Sequence, residues 1–283
     1  MEGIIKFFWA TWEQRTDYGP FHLISLAIML ALIVLVCFTC RKSKLSDKAF
    51  RIIMIVVGVL LILFDIYGQI YFSYTPETGK WEYAWHRFPF QFCSTPMYII
   101  LLAGLAKPGK FQEWCCDFLG TFGLLAGILV MAMPGNVFHT TSVGISIQTM
   151  FHHGMMVVMG IFVWVSGRAK PKFTSAFKAL AVFTVLVAIA FALNEIVVAT
   201  GANHGEYFNL FYISRHFNSA LPVFETIQPK VPYPVFVLLY FAGFAIGAII
   251  VTLIAMGIAW ICRKIANKGV NDDTHVNGTR IKY

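Results

Sequence analysis

Charge is scarce in this sequence, and that shortage excludes an ordinary soluble domain. Only 13% of the 283 residues are Asp, Glu, Lys or Arg, about half the share found in soluble proteins. Hydrophobic residues make up 58% of the chain, and the mean hydropathy is +0.70. No polar stretch is long enough to fold around a core of its own. We therefore expect one membrane domain over residues 1–262 and a disordered cytoplasmic tail over 263–283.

Signatures of several other protein classes are missing as well. The sequence has no His-Glu-x-x-His zinc motif. It has no basic stripe with interleaved aromatic residues, which would be typical of nucleic-acid binding. It also has no internal repeat of the kind that inverted-repeat transporters show. We expect no nucleic-acid partner and no cofactor, and the oligomeric state is left open.

The sequence does contain apolar runs long enough to cross a hydrocarbon core about 30 Å thick. They predict an all-α membrane protein with seven transmembrane helices. The predicted spans are 21–40, 50–74, 88–106, 114–133, 144–166, 174–200 and 233–262.

The positions of Lys and Arg predict how these spans are oriented. Sixteen of the 22 Lys and Arg residues lie after the first, third, fifth and seventh spans, and six lie on the other side. Cytoplasmic segments near span ends are enriched in both residues. The sequence therefore predicts an outside amino terminus and a cytoplasmic carboxyl terminus.

Polar side chains interrupt four of the spans at one level. A rise of about 1.5 Å per helical residue places them roughly 7–14 Å below the outer interface. They are Asp65, Gln69, Cys93, His152 with its neighbour His153, and Asn194. Polar and ionisable groups inside a bilayer are costly, so each is a candidate for a functional site. A shared layer confined to the outer half predicts a pocket rather than a continuous pore.

Cys93 differs from the other cysteines in its position. The other five lie near cytoplasmic span ends, where thiols stay reduced; they are Cys37, Cys40, Cys115, Cys116 and Cys262. A neighbouring imidazole can take the proton of a thiol and leave a nucleophilic thiolate. His152 or His153 is suited to that role beside Cys93. The residue types alone fit a packing cysteine and hydrogen-bonded histidines equally well.

Short motifs at these positions resemble a known family. The motifs are Pro89-Phe-Gln-Phe-Cys93-Ser-Thr-Pro-Met-Tyr98, Phe151-His152-His153-Gly154, Asn194 with Gly201-Ala-Asn203, and Pro232-Tyr-Pro234. They resemble the YwaF-like bacterial integral membrane proteins over roughly residues 20–262. That family is similar to a eukaryotic transmembrane phospholipid acyltransferase and, more remotely, to androgen-induced membrane hydrolases of fatty-acid esters.

The resemblance implies a function and a location. Cys93 matches the position proposed as the acyl-accepting nucleophile, and the pair His152 and His153 matches the proposed base. The implied location is a bacterial cytoplasmic membrane, or an endomembrane if the source is eukaryotic. The implied partners are membrane lipids, namely phospholipid or lysophospholipid.

Residue pattern and resemblance together predict a lipid acyltransferase acting in the outer half of the bilayer. We prefer His152 as the base because it lies four residues after Gln148 and shares a helix face with it. The predicted supporting groups, which orient the base or hold an oxyanion, are Asn194, Gln148, Gln69 and Asp65. Asn203 and Tyr207 are the predicted substrate contacts in the 201–232 connection.

Two other function classes are compatible with the sequence. The first is a metal-dependent lipid hydrolase, because seven of the eight histidines lie in the outer half and imidazole is a common zinc ligand. The second is a transporter or receptor without enzymatic activity. A retinal-binding receptor is excluded because the seventh span has no Lys for a Schiff base. Metal analysis and transport assays in proteoliposomes separate these classes from an acyltransferase.

Overall fold

The computed structural model describes residues 9–13, 16–42, 45–137 and 141–277. Helices dominate, since a backbone in lipid must satisfy its own hydrogen bonds. In chain order they are α1 Pro20–Lys42, α2 Asp47–Ser73, α3 Thr95–Leu105, α4 Lys110–Phe118, α5 Leu124–Ala132, α6 Val143–Val165, α7 Phe173–Thr200, α8 Phe224–Ile227 and α9 Tyr233–Asn277. A small antiparallel hairpin, β1 Tyr74–Thr75 and β2 Lys80–Trp81, follows α2.

Six helices in the described part of the chain are long and apolar enough to cross a membrane. They are Pro20–Cys40, Asp47–Ser73, Lys110–Ala132, Val143–Val165, Phe173–Thr200 and Tyr233–Cys262. Each coincides with a predicted span to within a few residues. The third of them comprises α4 and α5, which are joined by a π-helical turn over Leu119–Gly123.

The predicted span at 88–106 differs most from the structure. Only Thr95–Leu105 is helical there, and eleven residues cover only about 16 Å at the rise of an α-helix. The segment 88–94 is not regular helix, and its backbone is partly satisfied by side chains, as where Tyr98 Oη donates to the Pro89 carbonyl oxygen at 2.8 Å. Non-helical backbone at membrane depth requires such burial in protein. Within the described ranges, six helices are long and apolar enough to cross a membrane and Thr95–Leu105 is a shorter apolar helix, where the sequence predicts seven full spans.

α9 is helical as far as Asn277, inside the region for which the sequence predicts a polar tail. Residues 278–283 of that tail lie outside the described part of the chain. The disorder of 263–283 stays a prediction.

Aromatic rings form the centre of the core. Phe183 of α7 stacks on Phe122 with ring centroids 4.6 Å apart and on Phe244 of α9 at 4.7 Å. Phe92 and Phe211 meet the same ring at 5.8 and 5.9 Å. Such pairs add about 0.5–1.5 kcal/mol each beyond the burial of their area. The cluster joins the segment before α3 and the 201–232 connection to three long helices.

Glycines bring α6 close to its neighbour. A Cβ atom on Gly127 of α5 would lie 2.9 Å from the His153 carbonyl oxygen, and one on Gly160 of α6 would lie 2.8 Å from Leu124 Cβ. Small residues at helix contacts allow this approach in membranes. The contact fixes the helix that carries both candidate histidines.

Candidate functional site

The structure brings Cys93 and His152 together through the backbone of Cys93. His152 Nε2 lies 2.9 Å from the Cys93 carbonyl oxygen. Because a carbonyl oxygen can only accept, Nε2 carries the proton of the neutral ring and Nδ1 carries the lone pair. His152 is 4% exposed, and its Nδ1 has no hydrogen-bond partner among the described residues. A buried acceptor without a partner costs about 1–3 kcal/mol, so this nitrogen marks a candidate functional position.

The thiol of Cys93 has other neighbours than the imidazole. Cys93 is half-buried, and the Ser94 hydroxyl lies beside its thiol. Arg87 and Asp65 are close enough to the thiol to interact with it electrostatically. Burial disfavours the thiolate form of Cys93, the positive charge of Arg87 favours it, and the negative charge of Asp65 opposes it. The thiol is therefore near charges of both signs, while the histidine contacts the backbone of the same residue.

His153 and Gln148 make local contacts on α6. His153 Nδ1 lies 2.8 Å from the Thr149 carbonyl oxygen, one turn earlier, and its ring centroid is 5.4 Å from that of His152. Gln148 is buried, and its Oε1 accepts from Thr149 Oγ1 at 3.4 Å. Both residues therefore lie next to His152 without a hydrogen bond to its ring in this part of the chain.

Arg87 also belongs to the site. From the sequence alone it is only one of the six Lys and Arg residues on the predicted outer side. It ends a 3₁₀ turn, Trp85–Arg87, that precedes α3. Its guanidinium lies 4.3 Å from the centre of the Phe72 ring. Burial lowers the pKa of Arg87, while Cys93, Asp65 and Tyr212 act in the opposite direction. Arg87 thus lies among three of the groups around the candidate nucleophile.

Gln69 fixes the backbone at Arg87. Its Nε2 donates to the Arg87 carbonyl oxygen, and its Oε1 accepts from Tyr83 Oη at 3.0 Å. Asp65, one helical turn before Gln69, contributes a negative charge near Arg87. The predicted face of α2 with Asp65 and Gln69 therefore does point toward Cys93, through Arg87.

Asn194 binds the 201–232 connection and makes no hydrogen bond to the histidines in the described chain. Its Oδ1 accepts from the Leu210 N–H at 2.8 Å, and its Nδ2 donates to the Leu210 carbonyl oxygen at 3.1 Å. The next residue, Phe211, donates its N–H to Gln91 Oε1 at 3.0 Å and accepts from Tyr240 Oη at 2.8 Å. Three side chains from three elements thus bind the backbone of two consecutive residues.

The same connection turns into the core. Phe208, Leu210, Phe211 and Ile213 are at most 2% exposed. Phe211 and Tyr212 have φ angles of +56° and +54°, a region that bulky residues rarely adopt. Backbone of this kind costs on the order of 1–3 kcal/mol per residue and persists only where surrounding contacts enforce it. The result is that Tyr212 lies near Cys93 and Arg87.

Asn203 and Tyr207, the predicted substrate contacts, make hydrogen bonds within the 201–232 connection. Asn203 Nδ2 donates to the Glu206 carbonyl oxygen, and Tyr207 Oη donates to the Asn218 carbonyl oxygen at 3.1 Å. The structure does not link either of them to Cys93 within the described residues. The segment 208–213, in which Asn209 is the only residue that is neither aliphatic nor aromatic, is the sequence signal that would have identified the inward segment.

The histidines that the sequence assigns to the outer half include two with separate partners. His22 Nε2 lies 2.8 Å from the Met131 carbonyl oxygen, and His216 Nε2 lies 3.2 Å from Glu195 Oε2. Over the described ranges, no group of three or more His, Cys, Asp or Glu side chains is placed to hold a metal ion. His139 lies outside those ranges. The histidine cluster on which the metal-dependent alternative depends does not form there.

Comparison with known proteins covers nearly the whole chain. The TMEM164 family, a family of membrane proteins, matches residues 18–261, and this segment contains every candidate site residue named above. No curated protein and no solved structure is similar enough to match. The family match and the six long apolar helices identify an integral membrane protein. The chain therefore belongs to the TMEM164 family.

Proposed function

We propose that this protein transfers acyl chains between membrane lipids through a thioester on Cys93. One observation carries the proposal. Cys93 lies in a non-helical segment, its carbonyl oxygen is bound by His152, and Arg87 is near enough to interact electrostatically with its thiol. A nucleophile, an imidazole and a cation around one point suit an acyl ester, whose carbonyl oxygen becomes negative during attack.

The proposal includes a topology of seven crossings. The short crossing would consist of α3 and the segment before it, with the amino terminus outside and the carboxyl terminus in the cytoplasm. The bias of Lys and Arg toward one side supports this orientation. Cys93 then lies in the outer half of the bilayer, near the ester carbonyls of outer-leaflet phospholipids. A phospholipid is thus a better acyl donor than a charged cytosolic thioester. Because the chain resembles YwaF-like proteins, we place it in a bacterial cytoplasmic membrane, or in an endomembrane if the source is eukaryotic.

The reaction begins with a change of partner for His152. Its Nε2 would move from the carbonyl oxygen of Cys93 to the sulfur of the same residue, which rotations of the two side chains can achieve. Hydrogen bonds of this kind often tighten only when substrate is bound. For the imidazole to accept the thiol proton, the nitrogen that faces the sulfur must be unprotonated. Tautomer exchange therefore moves the ring proton from Nε2 to Nδ1, and the lone pair on Nε2 accepts the thiol proton.

The covalent steps then follow in order. The thiolate attacks the ester carbonyl carbon, and the carbonyl electron pair moves onto the oxygen. Collapse of this intermediate breaks the bond to the glycerol oxygen, which takes the proton back from the imidazolium and leaves as a lysolipid. A lipid hydroxyl or water attacks the thioester by the same route and regenerates the thiol.

Lipid mass spectrometry on reconstituted protein tests this proposal. Vesicles would contain phosphatidylcholine, phosphatidylethanolamine and phosphatidylglycerol, each with a fluorescent acyl chain, together with lysolipid acceptors. The wild type should change the ratio of lysolipid to diacyl lipid and carry an acyl adduct on Cys93. Cys93→Ala should lose nearly all turnover. Cys262→Ala is the matched control, because that thiol is exposed at the end of the apolar span Tyr233–Cys262.

A double variant sharpens the test. If Cys93 and His152 act as a unit, Cys93→Ala and His152→Ala should each abolish nearly all turnover, and the double variant should be scarcely worse. A Cys93→Ala protein that processes lipid at the normal rate contradicts the proposal. Movement of a solute across the vesicle without any change in lipid composition would favour a transporter instead.

A further inference from the structure

Two polar side chains near Cys93 are given no contact with the substrate in the covalent steps above. They are Arg87 and Tyr212, and each interacts with the thiol and with the other through its charge or dipole. Neither the guanidinium nor the phenol hydroxyl makes a hydrogen bond to another described residue. Asp65 lies near Arg87 but closes no ion pair with it. The donors of both side chains are therefore available to a ligand.

Both groups are donors toward a negative charge. Arg offers five N–H groups and no acceptor. Burial raises the pKa of Tyr212 to about 12, so its hydroxyl stays protonated at neutral pH and can donate. Both side chains therefore bring hydrogen-bond donors to the neighbourhood of Cys93.

The backbone around Tyr212 indicates that its position matters. Asn194, Gln91 and Tyr240 bind the two preceding residues from separate elements. These contacts hold two bulky residues in the left-handed region, against their conformational preference. Strain maintained by so many buried hydrogen bonds next to a nucleophile points to a function for the side chain that it places.

We infer that Arg87 and Tyr212 form the oxyanion-binding part of the Cys93 site. They donate hydrogen bonds to the ester oxygen as the sulfur–carbon bond forms and the carbonyl electron pair moves onto that oxygen. They release it when the bond to the leaving glycerol oxygen breaks. This inference rests on the proposed acyl transfer. Removing one oxyanion donor typically lowers kcat by about 10²–10³-fold.

The test compares Tyr212→Phe and Arg87→Gln with the wild type in the fluorescent-acyl phospholipid vesicles described above. Tyr212→Phe should lower kcat by about 100-fold with KM nearly unchanged, because the donor acts only in the transition state. Alkylation of Cys93 by iodoacetamide forms no oxyanion, so its rate in Tyr212→Phe should stay within about twofold of the wild type. Arg87→Gln should lower both the rate of acyl transfer and the rate of Cys93 alkylation, and Arg87→Lys should recover part of each rate.

Tyr233→Phe is the matched control. Tyr233 Oη donates to the Ile213 carbonyl oxygen at 2.6 Å, so this variant removes a hydroxyl that holds the same segment from its other end. Its kcat should stay within about twofold of the wild type, as for a hydroxyl that never meets the substrate.

Two outcomes would overturn the inference while leaving the acyl transfer intact. One is a Tyr212→Phe protein with wild-type kcat in a background where Cys93→Ala is inactive. The other is an equal fall in acyl transfer and alkylation with a lower melting temperature, which would make Tyr212 a purely structural residue. Normal turnover in Cys93→Ala would overturn both the proposed function and the inference.

Discussion

Replacing Asn194 with Leu should loosen the buried segment 208–213 of the 201–232 connection without opening a cavity. Asn194 is fully buried and binds both backbone groups of Leu210. Leucine has nearly the same shape but neither donates nor accepts. The Leu210 carbonyl oxygen keeps a long hydrogen bond from the Ile213 N–H at 3.4 Å, whereas its own N–H is left without a partner.

The magnitude follows from that one orphaned donor. A buried N–H without a partner costs about 1–3 kcal/mol. Since about 1.4 kcal/mol corresponds to a tenfold change in an equilibrium constant, local opening should become about 5- to 150-fold more frequent. Hydrogen exchange reports such local opening directly.

The assay is hydrogen–deuterium exchange with mass spectrometry on protein in lipid nanodiscs. Peptides that cover 208–214 should exchange faster in Asn194→Leu by the stated factor, and peptides from α6 should not change. Asn218→Ala is the control, because the exposed Asn218 side chain donates to the Glu225 carbonyl oxygen and water can replace it. Exchange at 208–214 within about threefold of the wild type would refute the reasoning, as would equal acceleration in α6.

Two further predictions concern orientation and the acid on α2. A membrane-impermeant maleimide should label the exposed Cys262 only after cells are permeabilised, because the proposed topology places the carboxyl end of α9 in the cytoplasm; full labelling in intact cells would reverse that orientation. Asp65→Asn should keep the fold and much of the turnover, since the amide retains most hydrogen bonds of a supporting side chain. Lipid mass spectrometry measures the turnover, and the expression level is measured on the same preparation. Complete loss of turnover at normal expression would instead assign Asp65 to the chemistry.

Apolar length predicted the long helices well, because hydropathy and the need for internal hydrogen bonds act on the same residues. The predicted span 144–166, for example, is Val143–Val165 in the structure. The same criterion was wrong about the helical extent of 88–106. It measures only how apolar a segment is, and the segment before Thr95 is apolar through its aromatic rings. Its backbone is partly satisfied by side chains, from Tyr98 within the same predicted span and from His152 on another helix, and apolarity does not report such contacts.

The candidate site was predicted in part. Cys93 and His152 do lie together, as their shared depth predicts, although the contact uses the backbone oxygen of Cys93. Arg87 was missed because an arginine near a span end serves equally well as a topology signal. Tyr212 was missed because a long connection can place any of its residues inward, and only the tertiary contacts of Leu210 and Phe211 decide which one.

The contact between Tyr240 and Phe211 has a consequence for biosynthesis. The Phe211 carbonyl oxygen is bound by a hydroxyl on α9, a helix that is synthesised after the segments that carry Cys93 and His152. A nascent chain that ends before Tyr240 already carries Cys93 and His152 but lacks the partner that keeps Phe211 and Tyr212 in their strained conformation. The strained conformation of Phe211 and Tyr212 therefore waits for α9 to insert, so the order of synthesis sets the order in which this part of the structure forms.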